Sequence, residues 1–143
     1  MSRGSAIGPS PDGRHPRAVR VPNNTGENLE IGYLEFVAAD ADAVCATYSR
    51  VHGVEFSEPI PELGNARVVT LPNGGRLGVR GPLRPDETPV VRPYLLVDDV
   101  AASIAVAEEA GAEIAVPAME IPGQGTFGIF IQAGIESGLW QRE

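Results

Sequence analysis

The sequence contains no lysine. Schiff-base catalysis on a lysine amine is therefore excluded. With its heavy use of Ala, Gly, Val and Arg, this absence points to a high-GC bacterial coding bias. There is one cysteine, Cys45, so no internal disulfide can form and a reducing cytoplasm is the expected compartment. Cys45 falls on an expected helix and reads as a small core residue. Histidine is scarce as well: His15 lies in the leader and His52 in the last turn of that helix, where the dipole favours a cation. No apolar run approaches the roughly eighteen residues that cross a bilayer. Met1 to Ser10 shows no apolar core of a secretory leader.

What is present is acidic and globular. The chain has 143 residues, 43% of them apolar, with a net charge of −8. That is the size of one domain with a real core. Residues 1–26 hold four Arg and one Asp, so the acidic balance lies wholly in the remainder, with seven Arg against eighteen acids. An acidic body argues against a nucleic-acid partner, which needs a basic face.

Residues 1–28 are rich in Pro, Gly and Asn without periodicity and read as a disordered or loosely ordered tail. From residue 29 the pattern becomes regular. Glu30 to Val37 reads as a strand, Asp40 or Asp42 as a helix cap, and Ala43 to His52 as an amphipathic helix stopped by Gly53. Val54 to Glu58 reads as a short strand. Ala66 to Leu71 and Arg76 to Arg80 form a hairpin around Pro72-Asn73-Gly74-Gly75. Residues 82–90 are a linker.

The pattern then restarts. Val91 to Val97 is a strand, Asp98-Asp99 a cap, Val100 to Ala110 a helix and Gly111 its stop. Glu113 to Ile121 is a strand whose Pro117 marks an edge or a bulge. Thr126 to Ile131 and Ser137 to Trp140 close the chain as a hairpin around Ala133-Gly134-Ile135. Gly123-Gln124-Gly125 precedes no helix and is not read as a phosphate loop.

The two halves share their landmarks. Asp40 to Gly53 spans thirteen residues and Asp99 to Gly111 twelve; Asp40 to Gly78 spans thirty-eight and Asp99 to Gly138 thirty-nine. The chain is therefore expected to be a duplication, with module one at 29–81 and module two at 91–143.

The stretches IGYLEFVAADADAVCATYSRVHGVEF and PYLLVDDVAASIAVAEEAGAEIAVPAMEIPGQGTFGIFIQAGIESGLWQ resemble the vicinal oxygen chelate superfamily, the glyoxalase, bleomycin-resistance and extradiol-dioxygenase group. The resemblance covers about residues 29–143. It implies an α+β fold of two βαβββ modules whose curved mixed sheets surround a cavity, in a homodimer. It also implies a divalent metal held from four strands. The corresponding positions here hold Tyr33, Arg92, Gly78 and Gly138, a cation, a phenol and two residues with no side chain. Divalent metals need several O, N or S donors. No metal and no other cofactor is expected.

If those positions face inward, alternation puts Tyr33, Glu35, Arg76, Arg80, Arg92, Tyr94, Glu136 and Trp140 on the cavity face. Leu34, Phe36, Leu77, Val79, Leu95, Val97 and Leu139 fall on the other, under the helices. Gly78 and Gly138 are expected to leave open floor. An aromatic and charged lining suits a small organic ligand, so the first reading is metal-free binding of an aromatic molecule, as in relatives that sequester antibiotics. Tyr33, Arg76, Arg80, Arg92, Tyr94 and Trp140 are then the binding residues. The alternative is a metal-independent isomerase or lyase acting on an enolisable carbonyl. Glu35 or Glu136 is its base, and Arg92 or Tyr33 stabilises the oxyanion. A metal-dependent lactoylglutathione lyase or dioxygenase ranks lowest. Neither membrane nor nucleic acid is expected as a partner.

Overall fold

A computed structural model describes residues 29–143 of the chain. The expected tail, with His15, lies outside the described residues. The elements run β1 (Ile31–Val37), α1 (Ala41–His52), β2 (Arg67–Thr70), β3 (Arg76–Arg80), β4 (Val90–Leu96), α2 (Val100–Glu109), β5 (Glu113–Ile121), β6 (Gly125–Gln132) and β7 (Ile135–Gln141). One 3₁₀ turn, Pro61–Leu63, precedes β2.

The helix limits are set by the residues that the caps require. Asp40 accepts the Ala43 amide at 3.0 Å and Asp99 accepts the Ala102 amide at 3.1 Å, each satisfying an otherwise orphaned N–H. Gly53 closes α1 in the left-handed conformation, with its amide donating to the Ser49 carbonyl. The last hairpin turns on Ala133 and Gly134, with φ of 53° and 80°. Two residues of positive φ match the right-handed twist of the strands they join.

The seven strands form one curved mixed sheet in the order β2-β3-β1-β4-β7-β6-β5. β1 pairs parallel with β3, and β4 parallel with β7. The two halves meet in the middle, where β1 and β4 run antiparallel, with Tyr33 opposite Tyr94 and Glu35 opposite Arg92. This is the internal symmetry that the spaced landmarks imply.

Both helices cover the same face. Under α1, Cys45, Phe56, Leu77 and Val79 are buried with Leu34 and Phe36 packed against them. Under α2, Val97, Val100, Ile104 and Leu139 form a second cluster. The apolar set expected beneath the helices is there, except Leu95, which lines a shallow groove on that face with Val91, Pro93 and Ile135. The opposite, concave face carries a third cluster that includes Tyr33, Tyr94, Trp140, Ile129, Val68 and Leu63.

One element departs from expectation. Val54 to Glu58 forms no strand. The Ser57 amide donates to the Val68 carbonyl and the Ser57 hydroxyl accepts the Val68 amide, but the pairing stops there. Pro59 and Pro61 have no N–H to continue a ladder, and only an Ile60–Ala66 bridge follows. Phe56 is spent on the core under α1. Module two has the full βαβββ order and module one lacks that strand.

Candidate functional site

The concave face encloses a cavity of about 660 Å³. Strand alternation delivers Tyr33 and Glu35 from β1, Arg80 from β3, Arg92 and Tyr94 from β4, and Glu136 and Trp140 from β7 to its lining. Seven of the eight residues expected there are therefore brought together.

Arg76 is the exception. It shares the face, but its guanidinium donates to the Gln124 side chain at 2.7 Å and lies 5.8 Å from the ring centroids of both Tyr33 and Trp140. It caps the aromatic cluster as a cation over π faces and is not part of the lining.

The floor is aromatic and closed. Tyr33 and Trp140 stack at 5.2 Å, and Tyr94 meets both edge-on near 6 Å. The three are only 3–5% exposed, so little of each ring is left open on this floor. The expected open floor is absent. A β-carbon at Gly78 would overlap the Tyr33 hydroxyl, and one at Gly138 would lie 2.5 Å from Tyr94 Cδ2. The two glycines make room for the two phenols, which fill the space from inside.

Beside the floor runs a chain of alternating charges. Glu35, 7% exposed, accepts Arg80 Nε at 2.8 Å on one oxygen. Its other oxygen accepts Arg92 Nη1 at 2.5 Å and the Tyr94 hydroxyl at 3.0 Å. Arg92 Nε donates on to Glu136 at 2.8 Å, and Arg80 reaches both oxygens of Glu87 at 3.1 and 2.9 Å. The order is Glu136, Arg92, Glu35, Arg80, Glu87. Burial, followed by the charge of Glu35, pushes both Tyr33 and Tyr94 above the ordinary phenol range. Tyr94 is thus a neutral donor. Three donors occupy Glu35, which suits a structural anchor better than a free base. Glu136, with its side chain 46% exposed, engages one oxygen and stands nearer the mouth.

The remaining walls come from stretches whose role sequence reasoning missed. The linker contributes Leu83, Arg84, Asp86, Glu87 and Thr88, and the 3₁₀ turn contributes Glu62 and Leu63. Glu87 matters most: it clamps Arg80 and accepts the Leu83 amide at 2.7 Å, holding the linker over the cavity as a strap. The Arg80 hydrogen bonds pull its carboxyl down to about 2, against an opposing push from burial. No spacing rule would have found it. Val116, Ile121, Phe127 and Ile129 from β5 and β6 complete the apolar side, and alternation along those strands was the available signal.

The donors do not suit a divalent metal. The four strand positions carry one buried phenol, Tyr33, a guanidinium, Arg92, bound to two carboxylates, and two glycines whose space the Tyr33 and Tyr94 rings fill. Among the described residues no three His, Cys, Asp or Glu side chains gather as ligands would. No helix among them is long and apolar enough to cross a membrane.

The fold is that of the vicinal oxygen chelate, or glyoxalase-like, proteins. Among solved structures, a hypothetical protein from Bacillus halodurans superposes with a TM-score of 0.66 at 9% identity, covering 80% of this chain and 95% of that one. Methylmalonyl-CoA epimerase from Mycobacterium tuberculosis gives 0.63 at 14% identity, over 79% and 87% of the two chains. Methylmalonyl-CoA epimerase from Streptomyces coelicolor, in complex with 2-nitronate-propionyl-CoA, gives 0.60 at 17% identity, over 78% and 96%. No protein-family model matches the sequence, and no curated protein matches it.

Proposed function

We propose that the chain is a metal-independent binding protein for a small, aromatic organic molecule, matched to a cavity with an aromatic floor, an aliphatic side and a charged wall. The observation that carries this reading is the 660 Å³ space on the concave face, large enough for a ligand of two or three rings. Trp140 is the only tryptophan and lines that space, so its fluorescence reports occupancy. A panel of aromatic compounds screened by this signal and by thermal shift should yield ligands. Trp140→Ala should then weaken calorimetric affinity by about 1–3 kcal/mol, the scale of a lost buried aromatic contact. Unchanged affinity for every ligand found would remove Trp140 from the site.

The likeness to methylmalonyl-CoA epimerase favours a second reading, an isomerase or lyase that moves a proton beside a carbonyl. Glu136 is then the base, because Glu35 already accepts three donors. Solvent-deuterium exchange into an enolisable substrate that survives Glu35→Gln/Glu136→Gln would end it. A metal-dependent lyase or dioxygenase finds no suitable donor set among the described residues. A homodimer and a cytoplasmic setting belong to the same proposal; sedimentation velocity tests the first.

A further inference from the structure

The charges around the cavity say which ligand it would accept. Its lining holds five carboxylates, Glu35, Glu62, Asp86, Glu87 and Glu136, against three guanidiniums, Arg80, Arg84 and Arg92. The net charge of the lining is therefore −2. Each guanidinium is also already engaged: Arg80 by Glu35 and Glu87, Arg92 by Glu35 and Glu136, and the exposed Arg84 by Asp86 at 3.3 Å. The chain has no lysine to add another cation.

An anionic ligand would have to enter this field and compete with the buried carboxylate partners of Arg80 and Arg92, or settle for Arg84, whose pair with Asp86 is exposed. Competition of that kind leaves the buried Glu35 short of a partner, which is costly. A cation meets the opposite situation. Glu136 bonds Arg92 through Oε1 alone, and neither its Oε2 nor the Glu62 carboxylate has a hydrogen-bond partner among the described residues. Beyond them lie the aromatic floor and the aliphatic side chains Val116, Ile121 and Ile129.

We infer that the cavity takes an aromatic ligand carrying a protonated amine, and that it rejects carboxylate and phosphate ligands of the same size. This rests on the reading of the cavity as a ligand site. It sets the chain apart from its structural neighbour bound to an acyl-CoA derivative, a polyanion.

The test uses three probes of one shape and different charge: 2-naphthylmethylamine, 2-naphthylmethanol and 2-naphthoate, measured by equilibrium dialysis against the full chain. The ammonium form should bind at least about tenfold tighter than the carboxylate, the scale of one screened charge contact, with the alcohol between them. Raising the salt should shrink the difference several-fold. Glu136→Gln should shrink it too, circular dichroism verifying the fold. If naphthoate binds as tightly as the amine, the charge inference falls and the cavity remains a binding site. If none of the three binds, the binding reading falls and takes this inference with it.

Discussion

The phenol of Tyr33 occupies the space into which a side chain at residue 78 would project. The same relation recurs across the centre of the sheet, between Tyr94 and residue 138. In both halves a bulky residue on the first strand is matched to a glycine on the last, and the parallel pairings of β1 with β3 and β4 with β7 bring them together.

This matching predicts strong non-additivity. Gly78→Ala and Gly138→Ala should each destabilise the fold by about 1–3 kcal/mol, the usual cost of overpacking a dense core. Gly78→Ala/Tyr33→Ala should lose less than the sum of its two single changes, because the added methyl then meets empty space. Urea unfolding of the four proteins measures it; strict additivity would mean that the ring moves aside at no cost.

Glu35 is the middle of the charge chain and its only residue bonded to two arginines. Glu35→Gln keeps the shape and removes the charge, leaving Arg80 and Arg92 partly uncompensated in a buried setting. A loss of about 3 kcal/mol or more is expected by urea denaturation. A loss under about 1 kcal/mol would show that water reaches and solvates the chain.

Glu87 gives the fold an acid limit. Its carboxyl titrates at about 2 when folded, against an ordinary 4.5, mainly through its hydrogen bonds to Arg80. A depressed folded value means that the unfolded chain takes up the proton first. The stabilisation is therefore present above pH 4.5 and is lost as pH falls through about 2. Glu87→Gln should flatten the acid limb of stability between those values. Carboxyl NMR titration of the wild type should locate the low value directly.

Cys45 is 1% exposed under α1, and burial raises its thiol above the ordinary range. Native protein should react with a disulfide reagent orders of magnitude more slowly than unfolded protein. The rate should rise with denaturant in step with loss of helix. Rapid reaction without denaturant would show that α1 lifts off the sheet on its own.

Much of this architecture is legible from local chemistry. A capping Asp before each helix (at 40 or 42, and at 98 or 99), Gly53 as a stop, and alternation across β1, β3, β4 and β7 follow from periods and turn residues within a dozen positions; that Asp40 and Asp99 do the capping is settled only in the fold. Pro117 marks β5 as an edge or a bulged strand, and in the fold it is both. Val54 to Glu58 misleads because its side chains favour a strand while the prolines that follow remove the pairing. The filled floor depends on which residue of β3 lies beside Tyr33, a register set by the whole sheet. Arg76 has the right alternation, yet Gln124, which holds it, lies 48 residues away. Glu87 sits in a segment with no periodicity at all, so only its partner Arg80 reveals it.

The two ends of the sheet resist growth by opposite means. β2 is four residues long and its outer side is partly taken by Ser57 and by the Arg67 side chain, which donates to the Ser57 carbonyl. β5 has nine residues, but two register shifts and Pro117 break its outer row of donors. Neither margin offers a second molecule a long flat template. Each margin thereby discourages the strand-to-strand pairing by which open sheets zip together.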